Sequence, residues 1–193
     1  MIDGSIGYTL LECSLGHVLV AGTARGLCHV AFGDGGDALL AGLAARFPFA
    51  APERDDARLK PWAERLVDYA EGHAHRLDVP LDVGGTRFQR EVWAALRRIP
   101  RGTTRSYGEI ARELGRRRGA RAVARACAAN PVPVAIPCHR VVPAGGGVGG
   151  YAFGSARKRL LLEREDALPL EREGALPPER EGAATGAAVP CQR

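Results

Sequence analysis

Between residues 5 and 33, short apolar runs are separated by glycine-containing turns. Tyr8-Thr9-Leu10-Leu11 and His17-Val18-Leu19-Val20-Ala21 are split by Ser14-Leu15-Gly16, and a Gly22-to-Gly26 turn leads into Leu27–Phe32. Such runs joined by tight glycine turns predict an antiparallel meander. The period then lengthens. Leu39, Leu40, Leu43, Ala44 and Phe47 share one face and predict a helix over Asp37–Phe47, stopped by Pro48 and Pro52. A second helix is predicted from Pro61 to Gly72, opened by its proline and carrying Trp62, Leu66, Val67 and Tyr69. Leu77–Val83 reads as a return to strand. Residues 5–83 therefore form an α/β (α+β) N-terminal lobe.

Gly84-Gly85-Thr86 punctuates the chain, and the pattern beyond it is helical. Thr86 is placed to cap a helix whose stripe is Phe88, Val92, Trp93 and Leu96, ending at Pro100. After the loop 101–105, Ser106 with Glu109 three residues on forms a capping-box signature for a helix over Tyr107–Leu114, ended by Gly115. Another helix follows over Gly119–Asn130, built largely from alanine. Two short helices across a glycine-containing turn follow helix–turn–helix logic. Asn130 precedes Pro131 and so is biased away from helical geometry. A last helix is predicted over Arg157–Glu165, with Leu160, Leu161 and Leu162 turned inward. Residues 84–167 thus read as a mainly helical domain. From Glu163 the chain becomes a degenerate eight-residue repeat rich in proline and charge, which cannot build a core. Residues 168–193 are expected to be a disordered tail.

The 193 residues suit one domain or two small ones, and a hydrophobic content of 46% is enough for a core. No apolar run reaches the roughly 18 residues of a membrane span. The N-terminus lacks the basic and apolar regions of a secretory signal, so a cytoplasmic location without membrane contact is expected. The five cysteines, at 13, 28, 127, 138 and 191, are odd in number and scattered, which is no disulfide framework. Cys13, His17, Cys28 and His29 fit structural zinc spacing only loosely, and Cys28 sits in an apolar alternation typical of a buried strand, so no metal is expected. Net charge is +5, and its distribution is uneven: ten arginines lie between Arg97 and Arg125 against only Glu109 and Glu113. A concentrated basic block is the footprint of a polyanionic partner such as nucleic acid.

The chemistry centres on Ile136-Pro137-Cys138-His139-Arg140-Val141-Val142. A cysteine becomes a nucleophile only as thiolate. His139 is the natural base, yet on an extended segment neighbours point to opposite faces, so a bridging water is expected rather than direct contact. The histidine needs an orienting acid on its far nitrogen, and the candidates are Glu163 and Glu165 of the last helix.

Pro-Cys-His-Arg-Val, preceded by Asn-Pro-Val-Pro and followed by Gly145–Tyr151, resembles the signature of the O6-alkylguanine-DNA alkyltransferase family. Phe88–Trp93, Ser106-Tyr107, Ala120–Val123 and Arg157–Leu161 also fall at that family's spacing, and the resemblance covers roughly residues 5–166. It is nearest to the C-terminal half of the bacterial adaptive-response protein. The resemblance implies a ribonuclease H-like N-terminal lobe and a winged helix–turn–helix-like C-terminal domain. It also implies a monomeric DNA repair enzyme without cofactor that takes the alkyl group of O6-alkylguanine, and of O4-alkylthymine, onto Cys138 in one irreversible turnover. His139 would accept the thiol proton through a water and Glu165, chosen by family spacing, would orient it. Asn130 would brace the turn carrying the cysteine, and Tyr107 would protonate the extruded base. Arg121 would fill the gap left by the flipped nucleotide, on a helix whose small residues Ala120, Ala122 and Ala124 allow close approach to the groove of double-stranded DNA. Backbone groups of Cys138, Val141 and Ala152, with Tyr151 as part of a lid, would hold the base.

Some positions depart from the family pattern. Arg117 stands where a proline is often found in the turn between the two helices, and Ala152 stands where some members have serine. Zinc ligands found in the N-terminal lobe of some members do not carry over. The competing reading is a non-catalytic protein that recognises alkylated DNA on the same scaffold. The presence of Cys138 argues against it.

Overall fold

The computed structural model describes residues 5–168. The expected tail lies outside the described residues from position 169 onward.

Strands β1 (Gly7–Cys13), β2 (Gly16–Thr23) and β3 (Gly26–Gly33) form the expected antiparallel meander, with Leu10 opposite Leu19 and Val20 opposite Val30. A fourth strand, β4 (Glu53–Arg54), pairs parallel to β1, giving the order β3-β2-β1-β4. Its two residues are exposed and too few to leave an alternation in the sequence. Both faces of the sheet are covered. Helix α1 (Gly36–Arg46) brings Leu39 and Leu43 against Leu19, Ala21 and Cys28. Helix α2 (Asp56–Glu71) brings Leu59 and Leu66 against Val18, Val20 and Val30. Double coverage explains why Val18-Leu19-Val20-Ala21 is continuously apolar rather than alternating.

Two expectations for this lobe need correction. Helix α2 begins five residues before Pro61, where Asp55 caps it by accepting a hydrogen bond from the Arg58 amide at 3.2 Å. The proline therefore sits inside the helix, where it withholds one backbone donor, and does not open it. Residues 77–83 do not form a regular strand. They run extended beside β3 and meet it at a single bridge, Leu81 with Leu27. Leu27 donates to the Pro80 carbonyl (2.8 Å) and accepts from the Asp82 amide (2.8 Å), while Pro80 itself has no donor with which to extend a ladder.

The C-terminal half is helical. Helix α3 (Arg87–Arg97) opens at the expected cap Thr86, which Gln89 completes into a capping box, and α4 (Tyr107–Glu113) opens with the predicted box of Ser106 and Glu109. Helix α5 (Ala120–Ala128) follows across a turn that Gly115 enters at φ +71°, a left-handed conformation suited to glycine. The buried Trp93 indole donates to the Ala126 carbonyl at 2.9 Å and fixes α3 to α5. Residues Cys138–Arg140 form one 3-10 turn, and the two-residue strand that follows it, β6 (Val141–Val142), pairs parallel with β5 (Arg105–Ser106) at the start of α4. Helix α6 (Ser155–Arg164) closes the domain, with Leu161 and Leu162 buried and Leu160 half-buried. One core runs through both halves: Val18 and Val30 belong to the same buried cluster as Trp93, Val132 and Leu161. The Val30 amide also donates to the Pro131 carbonyl at 2.8 Å, which ties the sheet to the turn after α5.

Candidate functional site

The prolines of Asn130–Pro137 prevent α5 from continuing and force the chain back on itself. Asn130 holds this loop at three points. Its Nδ2 donates to the Ile136 carbonyl (2.7 Å) and to Cys138 Sγ (3.1 Å), and its Oδ1 accepts from the Val132 amide (3.0 Å). Within the loop the buried Val134 has φ +74°. A β-branched side chain there costs about 1–3 kcal/mol and persists only where surrounding contacts over-determine it. Asn130 supplies such contacts, so the braced turn delivers Cys138 to a fixed place.

The sequence predicts an extended segment at the cysteine, but the structure has a 3-10 turn there. Successive side chains of such a turn diverge by about a third of a revolution, so Cys138 and His139 still face different surroundings. Cys138 is 7% exposed and borders a cavity of about 370 Å³; Tyr107, Ala124, Cys127, Asn130, Tyr151 and Ala152 also line it. His139 is fully buried behind it. The His139 Nε2 lies 3.2 Å from Glu165 Oε1, and among the described residues Nδ1 has no hydrogen-bond partner. A carboxylate can only accept, so Nε2 carries the proton and Nδ1 keeps its lone pair. Of the two candidate carboxylates it is Glu165 that reaches the ring; Glu163 is exposed.

Electrostatics follow from burial. Loss of water pushes the Cys138 thiol above its usual range, and the Asn130 hydrogen bond and the Lys158 charge pull it back. Burial lowers His139 below its usual value, against the raising effect of Glu165. Burial alone would raise Glu165, but hydrogen bonds from Arg140 and His139 hold it at about 2. Burial raises Tyr107, which keeps its phenol protonated beside the cavity.

Tyr107 is the first residue of α4, brought to the cavity by the pairing of β5 with β6. Ala124 faces the cavity from α5, whereas Arg121 is exposed on the same helix and Ala120 and Ala122 are half-buried. Tyr151 and Ala152 border the cavity, and the Tyr151 hydroxyl is buried without a partner among the described residues. Val141 is not in the wall. Its carbonyl accepts a 2.6 Å hydrogen bond from Lys158 Nζ.

Three residues escaped the sequence reading. Lys158, inside the basic run Arg157-Lys158-Arg159, is fully buried, donates to the Val141 and Gly150 carbonyls, and is lowered to about 8 by burial. Its signal was its spacing, three and four residues before the buried Leu161 and Leu162. Cys127, four residues after buried Val123, places a second thiol in the cavity wall, pushed up to about 12 by burial. Arg140 is buried against Glu165, with no local pattern to announce it.

The arginine block is likewise divided. Arg98 and Arg105 both pair with Glu113, Arg116 stacks over Phe88 at 4.7 Å, and Arg101 turns inward. Arg112, Arg117, Arg118, Arg121 and Arg125 remain exposed around the two helices. Among the described residues, no group of three or more His, Cys, Asp or Glu is placed to hold a metal, and no helix is long and apolar enough to cross a membrane.

Fold and site together define a class: an α/β lobe joined to a helix–turn–helix domain whose cavity ends on a cysteine backed by a hydrogen-bonded histidine–glutamate pair. Comparison with known proteins makes it specific. Residues 6–83 match the family model described as 6-O-methylguanine DNA methyltransferase, ribonuclease-like domain, and residues 87–167 match its DNA binding domain. The methylated-DNA–protein-cysteine methyltransferase of Methanosarcina acetivorans is 37% identical over 82% of this chain and 97% of its own length. The bifunctional transcriptional activator/DNA repair enzyme Ada of Escherichia coli is 41% identical over 83% of the chain but 46% of its own length. The chain thus spans about half the length of the first curated relatives it matches. A crystal structure of the Mycobacterium tuberculosis OGT in complex with DNA superimposes with a TM-score of 0.72 at 36% identity, covering 83% of this chain and 92% of that one. The chain belongs to the 6-O-methylguanine DNA methyltransferase family.

Proposed function

We propose that this protein repairs DNA by moving the alkyl group of O6-alkylguanine, and of O4-alkylthymine, to Cys138 in a single irreversible turnover. The observation that carries this reading is the placement of Cys138 at the edge of a cavity of about 370 Å³, with room for a base, and of His139 and Glu165 buried behind it. The target carbon is inaccessible in a stacked duplex, so the nucleotide is flipped out, at a cost of a few kcal/mol. Arg121 occupies the gap it leaves, small residues of α5 approach the groove, and the exposed arginines hold phosphates.

In the cavity, the Cys138 proton passes through a water to His139 Nδ1, and Glu165 stabilises the charged ring. The thiolate sulfur attacks the alkyl carbon in line. The sulfur–carbon bond forms as the carbon–oxygen bond breaks, and the departing electron pair is taken up by the base as Tyr107 protonates its ring nitrogen. The product is a thioether with no ready exit, so the protein is consumed. Its own residues suffice, without metal or cofactor. The protein works as a monomer in the cytoplasm.

The test is the intact mass of the protein after mixing with a duplex that carries one labelled O6-methylguanine. A gain of one methyl, stopping at one equivalent and mapping to Cys138, is expected. An unchanged mass with lesion binding intact would instead assign the protein to recognition without transfer.

A further inference from the structure

Among the described residues, those lining the cavity all lie between positions 107 and 153, and none comes from the N-terminal lobe. The lobe nevertheless reaches the relay from behind. Arg140 is buried, and its Nε and Nη2 each donate to one oxygen of Glu165 at 2.8 Å. Its Nη1 donates to the Ile99 carbonyl at 2.7 Å, and Nη2 also donates to the Tyr69 hydroxyl oxygen at 2.5 Å. Tyr69 belongs to the last turn of α2. The contact is reinforced on both sides. Arg101 lies over the Tyr69 ring at 5.3 Å and donates to the carbonyls of Tyr69 (3.4 Å) and Arg164 (2.6 Å). Arg164 donates to the Ala70 carbonyl at 3.0 Å. The carbonyl end of α2, where the helix dipole is negative, thus receives two guanidinium groups from the other half of the molecule.

We propose that the N-terminal lobe is a working part of the transfer site: Tyr69 holds Arg140, Arg140 holds Glu165, and Glu165 holds His139 in the tautomer that leaves Nδ1 able to accept the Cys138 proton. Tyr69 and Arg140 are positioning residues. This chain of contacts rests on the relay assigned to His139 in the proposed function.

The arrangement solves a particular problem. A bare carboxylate beside His139 would favour imidazolium, and an imidazolium accepts no proton. The bidentate guanidinium neutralises Glu165 while leaving it oriented. The charged groups that bear on the ring are Lys158 from α6, Glu165 at the C-cap of that helix and Arg140 from its own turn, and Arg101 lies 3.8 Å from Glu165. Of the groups acting on the ring, Glu165 alone favours the charged form. Any loosening of Arg140 therefore moves His139 toward imidazolium. A bond from α2 that fixes the guanidinium fixes this balance.

The experiment compares the full chain with Tyr69→Phe, Arg140→Gln and the double variant. Transfer rate is read from pH 5 to 8 on an O6-methylguanine duplex, and the His139 ring is titrated by nitrogen-15 NMR. Tyr69→Phe should slow transfer about fivefold at pH 7, the rate equivalent of one ordinary hydrogen bond. It should also raise the midpoint of the acidic limb and the His139 titration together. Arg140→Gln should do both more strongly, and the double variant should be no worse than Arg140→Gln alone, because Tyr69 acts through Arg140. Tyr69→Phe with an unshifted His139 titration overturns the proposal, as does a double variant whose losses simply add. If the parent chain transfers nothing, the proposed function fails, and the His139 titration still decides the linkage.

Discussion

At the scale of the residue, the site buries Cys138 almost completely, and the proposed function routes its proton to His139. Cys138→Ala should abolish transfer and leave the affinity for lesion-bearing duplex within about twofold, since the removed atoms face the cavity and not the DNA-facing surface. Intact mass and a gel-shift titration check this. Loss of both properties would make the cysteine a structural one. His139 must be neutral to accept the proton, and burial holds its pKa below the ordinary value. The rate should therefore stay level as pH falls to about 6.5, the unperturbed histidine value, and decline only below it. A decline centred above that value would show His139 to be charged in the working site.

At the scale of the element, two short helices carry Tyr107 and Arg121, the residues that the proposed function sets against the base and the DNA. Arg121 stands exposed at the second position of α5, apart from the cavity. Arg121→Ala should slow repair of duplex far more than reaction with the free alkylated base, and single-turnover rates on the two substrates measure this. Equal losses would defeat its role beside the flipped nucleotide. Ser106 has a double task. Its hydroxyl accepts from the Glu109 amide at the head of α4, and its backbone pairs β5 with Val142 beyond the cysteine. Ser106→Ala should cost about 1 kcal/mol of stability, read by urea denaturation. It should also slow transfer, because Tyr107 begins the helix that Ser106 caps.

At the scale of the whole molecule, the buried charges that the proposed function puts to work also bear on stability. Glu165 is held at about 2 by Arg140 and His139, well under its ordinary value. A depressed carboxylate contributes stability above its unfolded pKa of about 4.3 and loses it as pH falls through its folded value. His139 acts in the same sense. Its folded pKa lies below the unfolded one, so the unfolded chain takes up a proton first once pH drops below about 6.5. The melting temperature should therefore fall steadily from pH 6.5 toward pH 3. Glu165→Gln should start lower at pH 7, with Arg140 unpaired, and show a shallower acid slope. Calorimetry across this range checks both. A parallel slope in the variant would place the acid-sensitive groups elsewhere.

The sequence alone determined whatever depends on residues close along the chain. The glycine-turned meander, the Thr86 cap, the Ser106–Glu109 capping box and the proline-broken loop were legible because local backbone preference and periodicity write them directly. The pairing of Cys138 with a histidine and one of two glutamates was legible as chemistry, and family spacing chose Glu165. Tertiary structure decided the rest. Helix α2 starts before its proline because Asp55 caps it and the sheet needs cover, and a two-residue β4 forms only because β1 offers an edge. Of the ten arginines between 97 and 125, some are spent on Glu113, Phe88 and the interior. Charge in a sequence carries no direction, so no count could have told which arginines take these partners. Lys158 and Arg140 received no role from the sequence, yet they lie buried around His139 and Glu165. Burial of a charge depends on which distant carbonyls, carboxylates and hydroxyls fold against it, and those partners are set by the assembled core rather than by neighbours in the chain.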